Sequence, residues 1–355
     1  MLRSVLLIAA LLMATPMLSG CVRGHGRPKE QVRVGFFPNL THAQALVGMA
    51  RGDFERAMEP LRLVPRPLNA GPQAMEALLA GELDFAYVGS GPAINAYVRS
   101  RGALRVVAGV ASGGVSFVVR ADSRIQTAED LRHRTLATPA IGNTQDIALR
   151  TFLKDHALAP REKGGSVRLV PMANPDILHL MRRGDIHGAW VPEPWVTRLL
   201  REAQGRLFLD ERDLWPQGRF ASAVLVASRG FIGERPDLVL RFVRAHVEVT
   251  RWIERNPAEA RALINSELAR LLGQPLPVEV LSEAFSRLEV TYDPIEESLL
   301  RSAERARGLG FLGHQRLNLR GLLELDFLRD VLAEEPPEPP VARRARRYRY
   351  ERSGI

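Results

Sequence analysis

The chain has 355 residues, one cysteine, 46% hydrophobic residues and a formal net charge of +9. A single cysteine excludes an internal disulfide framework, and the length suits two domains better than one. The charge does not mark a nucleic-acid binder, because six of the arginines crowd between Arg343 and Arg352.

The first residues read as an export signal. Arg3 gives a positive start, and residues 5–12 form an apolar run too short to anchor in a bilayer. Leu18-Ser19-Gly20-Cys21 then closes the segment as a lipobox: small side chains admit a peptidase, and the thiol accepts diacylglycerol. Residues 1–20 are expected to be a lipoprotein signal peptide and 21–30 a tether, with Cys21 carrying the lipid. A plain secretory signal with an incidental cysteine is the alternative. No later apolar run is long enough to cross a membrane, which predicts a soluble body on the periplasmic side of the envelope.

From Gln31 short apolar runs alternate with helical spacings, the pattern of an α/β fold with mostly parallel strands. Strands are predicted at 32–37, 61–64, 85–88, 105–110 and 116–119. Helices are predicted from Thr41, with Thr41 as N-cap, and at 71–79 and 93–99. Thr127 to Asp130 has the capping-box spacing. Strands at 134–138, 167–171 and 188–191 then alternate with helices at 142–156 and 174–182. A strand at 221–228 leads to helices at 236–256, 257–272, 277–288 and 296–308. The turn-and-strand run from Gly184 to Val191 echoes that from Gly81 to Val88. The chain is predicted to enter a second domain near Arg120 and leave it near Ala223. Residues 31–120 and 223–330 would form one domain and 121–222 the other, around a hinged cleft. Residues 331–355, with Pro336-Pro337-Glu338-Pro339-Pro340 and the arginines, read as a disordered tail that either touches anionic lipid or is merely solvated.

Five stretches carry a resemblance. They are 34–43, 79–84, Gly142-Asn143-Thr144-Gln145-Asp146, Trp190-Val191-Pro192-Glu193-Pro194-Trp195 and 210–216. In this order they resemble the periplasmic binding proteins of nitrate, taurine and aliphatic-sulfonate uptake, over roughly 32–312. The resemblance implies a type II periplasmic-binding-protein fold, with two α/β domains and a hinged cleft. It implies a small organic anion as ligand, an aliphatic sulfonate or taurine-like compound, and delivery to a cognate ABC permease and ATPase. It implies no cofactor, no metal, no catalysis and a monomer. The tail is not part of the family pattern.

An oxyanion needs donors and partial positive charge, and helix N-termini supply both. Three strand-to-helix junctions offer them: Asn39, Thr41 and His42; Gly89 and Ser90; and Asn143, Thr144 and Gln145. Each is otherwise an ordinary cap or turn. His42 at a helix start is expected to be neutral, donating one N–H or lying on the surface. Gly113 and Gly114 either contact the ligand through their backbone or form a plain loop. Trp190 and Trp195 are candidates for an apolar wall and lid, or for core. Glu193 is repelled by an anion, so it points away, binds a hinge-facing donor or meets a cationic group of the ligand.

Two other readings share the fold. A thiamine-pyrimidine synthase relative would need cysteines that this chain lacks after Cys21. A ligand sensor without transport is the other.

Overall fold

The computed structural model describes residues 30–313 and 318–334. The Cys21 lipobox and the arginine tail lie outside these residues. Strands form where β-branched and aromatic residues cluster. They are β1 (Gln31–Phe36), β2 (Arg62–Pro67), β3 (Phe85–Val88), β4 (Leu104–Gly113), β5 (Val115–Arg120), β6 (Thr135–Thr138), β7 (Arg168–Pro171), β8 (Gly188–Pro192), β9 (Gly205–Asp210), β10 (Ala221–Ser228) and β11 (Leu288–Val290). The helices are α1 (Ala43–Ala50), α2 (Asp53–Met58), α3 (Gly71–Leu79), α4 (Ser90–Arg99), α5 (Thr144–Asp155), α6 (Asn174–Arg183), α7 (Trp195–Glu202), α8 (Arg229–Glu234), α9 (Pro236–Arg255), α10 (Pro257–Leu272), α11 (Val278–Ser286), α12 (Glu296–Gly308) and α13 (Asp326–Ala333).

The strands make two sheets. The first has the order β11-β4-β10-β3-β1-β2 and the second β7-β6-β8-β5-β9. Both are mixed rather than mostly parallel. Strand β1 runs parallel to β2 and β3, and β6 parallel to β7 and β8. Strands β10 and β5, which begin after the chain has changed sheet, run antiparallel to their neighbours.

The chain passes from the first sheet to the second at Gly113 and Gly114, both at positive φ (72° and 68°). Backbone bonds pin this crossing: Gly114 N–H donates to Arg287 O, and Glu193 N–H donates to Gly114 O, each at 2.8 Å. A Cβ on Gly113 would stand 2.8 Å from Arg287 O, so the close approach requires glycine as well as the φ does.

On α9 the side chains of Leu238, Phe242, Val243, Val247 and Thr250 are buried, while Trp252 near its end is only half-buried. Phe242 stacks on Phe85 (4.3 Å) and Phe54 (4.6 Å), closing the core behind the first sheet. Tyr87 donates to His246 Nδ1 (3.1 Å), and His246 Nε2 donates to Gly109 O (2.8 Å), which satisfies these two buried side chains.

Several boundaries differ from expectation. Thr41 caps no helix; a 3-10 turn, Leu40–His42, precedes α1. Thr127 and Asp130 open only a 3-10 turn, where Asp130 accepts the N–H groups of Gln126 and Thr127 at 2.9 Å each. Helix α13 continues to Ala333, past the expected start of the tail, because Leu328 and Val331 are buried in the first core.

Candidate functional site

The carboxyl ends of β1, β2 and β3 and of β6, β7 and β8 open toward one cavity between the two sheets, the place where open α/β sheets put ligands. About 450 Å³ of atom-free space, open solvent at the mouth included, lies between these strand ends. Four helices begin at its wall. Ala70 and Gly71 start α3, Gly89 precedes α4, Asn143 precedes α5 and Asn174 starts α6. Unpaired first-turn N–H groups and aligned peptide dipoles give each such end a partial positive charge.

Of the residues singled out from sequence, Asn39, Thr41, His42, Gly89, Asn143, Thr144 and Gln145 line this cavity. Asn143 is a true N-cap, its Oδ1 accepting Asp146 N–H at 2.8 Å. Asp146 itself turns away and takes Gly142 N–H (2.8 Å) and Arg150 Nε–H (2.9 Å). Thr144 Oγ1 accepts Gly91 N–H at 3.2 Å and so bridges the two halves. His42 is 2% exposed, and burial lowers its pKa to about 3. Burial, more than the helix start, holds it neutral. Its Nδ1 accepts Phe37 N–H (3.1 Å), which puts its proton on Nε2.

Ser90 stands outside the lining, and its buried Oγ has no partner among the described residues. Gly113 and Gly114 serve the crossing between sheets rather than the cavity. Trp190 is not a wall. It lies wholly buried in the core of the second sheet, stacked on Phe117 (5.4 Å), with Nε1 donating to Glu211 Oε2 (2.7 Å). Trp195 reaches across the halves, and its Nε1 donates to Asn39 Oδ1 (3.1 Å). Glu193 points away from the cavity. It accepts Thr197 N–H (3.1 Å), Thr197 Oγ1–H (3.0 Å) and Arg287 Nη1 (3.1 Å). Burial nevertheless pushes its pKa up to about 7, against those donors.

Sequence reasoning missed Asn69, Gly71, Asn174 and Ser222, which also line the cavity. Gly71-Pro72 and Asn174-Pro175 each follow a strand and open a helix, so the junction argument applied to them equally. Ser222 had no local signal. It faces inward at a register shift in β10, with Oγ–H donating to Ala111 O (3.0 Å).

Two mixed sheets with helix starts facing a shared cleft make a type II periplasmic-binding-protein fold. The alkanesulfonate-binding protein from Xanthomonas axonopodis pv. citri, solved with MOPS bound, superposes with TM-score 0.69 at 18% identity, over 83% of this chain and 98% of that one. The nitrate-binding protein of Synechocystis PCC 6803 gives 0.71 at 12% identity, over 87% and 90%. In sequence, the taurine-binding periplasmic protein of Escherichia coli K12 is 28% identical over 213 residues, 59% of this chain and 64% of that one. The chain thus spans less than two thirds of the curated relatives it matches first. The chain belongs to the NMT1-like family, whose model matches residues 25–268.

Proposed function

We propose that this protein is the solute-binding component of an ABC importer, and that its two halves close on a small organic anion on the periplasmic side of the membrane. The observation that carries this is the meeting of four helix N-termini with neutral amide, imidazole and hydroxyl groups in one cavity. Such a site supplies donors and partial positive charge while leaving the ligand as the only net charge. The taurine, alkanesulfonate and nitrate specificities of the relatives support an oxyanion. A sulfonate with an aliphatic tail is our first choice, since Phe37, Pro92, Pro139 and Pro192 give the cavity apolar wall. We further propose a binding rather than catalytic role, a cognate permease and ATPase as partners, and a lipid on Cys21 as anchor.

A thermal-shift screen of alkanesulfonates, nitrate and carboxylates tests the reading. A ligand at about 100 times its Kd stabilises the folded state by roughly 2.7 kcal/mol. The largest shift is expected with an alkanesulfonate, and a smaller one with nitrate or a carboxylate. No shift with any of them would sink the proposal.

A further inference from the structure

The second sheet carries a charge pattern on the edge that faces away from the cavity. Strands β6, β7 and β8 are parallel and turn their carboxyl ends to the cavity, so their amino ends, the end of β5 and the start of β9 make up the far edge. Register sets Thr135 beside Arg168 and Arg120 beside Gly205, and Arg120 N–H donates to His187 O at 2.9 Å. In strand order across the sheet this edge reads Arg168, Arg134, His187, Arg120 and Arg206, an arginine or histidine at or next to the end of every strand. Neighbouring strands lie about 4.8 Å apart, so the row is roughly 20 Å long.

The turns around the row add to it. Segments 120–134, 158–168, 181–187 and 203–206 hold ten arginines and lysines against five aspartates and glutamates. Two of these acids are matched within the edge, Asp122 by Arg120 (2.5 Å) and Asp185 by Arg183 (3.0 Å), while Glu162 is drawn to Arg150 of α5 (2.6 Å). Arg124, Arg132, Arg161, Arg168 and Arg182 stay exposed. The corresponding edge of the first sheet, over 59–62, 81–84, 99–105 and 228–237, has six cations against five anions. The excess thus belongs to one half, and solubility alone does not call for a single-sign field on one edge.

We propose that this edge of the second sheet rests on a membrane surface of anionic phospholipid. Each arginine or lysine brought to such a surface gains from its negative potential, and the gains add along the row. Lipid headgroups are also the polyanion within reach of a protein that works beside a permease, so the choice of lipid rests on the proposed function. The edge lies opposite the strand ends that wall the cavity, and lipid contact there leaves the cavity clear for solute.

The test is co-sedimentation of the full chain with vesicles of phosphatidylglycerol and phosphatidylcholine in equal parts, and with phosphatidylcholine alone. One variant carries Arg132→Gln, Arg161→Gln, Arg168→Gln and Arg182→Gln. A control removes the same charge from the first-sheet edge, as Arg62→Gln, Arg99→Gln, Arg101→Gln and Arg229→Gln. All eight side chains are exposed, so both variants should melt as the wild type does. The second-sheet variant is expected to lose at least about tenfold in partition onto the anionic vesicles, and the control less than about twofold. Wild-type binding is expected to weaken with salt and to vanish on phosphatidylcholine alone. Equal losses in the two variants would mean that net charge alone governs binding, and would overturn the proposal. No loss in either, or no wild-type binding to anionic vesicles, would overturn it too and leave the row to an acidic protein or to solvent. Binding is read without any cleft ligand, so each of these failures leaves the importer reading standing.

Discussion

Among the described residues two glutamates, Glu193 and Glu211, are buried, and both hold their protons more tightly than a free carboxylic acid does. Glu211 lies beneath Trp190 and Trp215, whose indole N–H groups donate to it at 2.7 and 3.3 Å. Burial pushes its pKa up to about 7 despite these donors, and Glu193 is raised to the same value. From their ordinary 4.5 up to about 7, the folded chain therefore binds more protons than the unfolded one. The stability these groups contribute is complete below about pH 4.5 and lost as the pH climbs through 7. Each raised carboxyl is worth on the order of 3 kcal/mol across that window. The thermal midpoint should fall between pH 5 and pH 7.5, and Glu211→Gln should flatten the fall. A melting point that rises over this range would contradict the assignment. The Gln variant also gives up one indole bond, costing about 1 kcal/mol at pH 5.

Among the elements, the close approaches matter more than the regular spans. A Cβ on Gly109 of β4 would stand 2.0 Å from Asp293 O, so the segment entering α12 lies directly on this strand. Gly109→Ala should destabilise the fold by about 1–3 kcal/mol, measured by urea unfolding, because backbone has to move. A change within 0.5 kcal/mol, roughly the spread of inert surface substitutions, would show that the segment yields freely. Such contacts explain which elements were legible in the sequence. Helices α9 and α10 announce themselves by an opening proline and a repeating apolar face, and β3 and the 223–227 stretch of β10 by unbroken apolar runs. Strand β9 was not read, since Arg206 and Leu207 are exposed and it forms an edge. Helices α2, α7 and α8 have only six, eight and six residues, too few to leave a periodic signal. The expected helix over 277–288 ends at Ser286 because Leu288–Val290 pairs with β4 as β11.

At the scale of the molecule, the halves are tied at the back of the cleft. Arg287, just after α11, reaches Glu193 and Thr197 on the second-sheet side and Glu283 (2.6 Å) on its own helix. On the other side, Arg305 of α12 covers the Trp215 ring at 4.0 Å. Arg287→Met should strand the Glu193 carboxyl. Removing one partner of a buried pair costs about 3–5 kcal/mol when the survivor stays charged. Since Glu193 takes up a proton near pH 7, the loss should be larger at pH 8 than at pH 5. Equal losses by calorimetry at the two pH values would show that the pair is not what Arg287 supports. The site was legible only in part at this scale. Asn39, Asn143 and Thr144 stood out because polar side chains beside helix starts have a known use. Ser222 and the outward turn of Glu193 depend on which strands become neighbours, and no local pattern encodes that.

Strand β10 sits between β3 and β4 in the middle of the first sheet, yet well over a hundred residues separate it from Val88. During synthesis the chain therefore emerges with β3 and β4 made and their shared partner still absent. Two unpaired edges and much of the first core wait until residue 228 has appeared. A chain stopped near Phe220 would carry a complete second sheet and an unfinished first one, with the aggregation hazard of open strand edges. For a chain proposed above to work on the periplasmic side of the membrane, late completion of the central strand keeps the nascent chain uncommitted for most of its length.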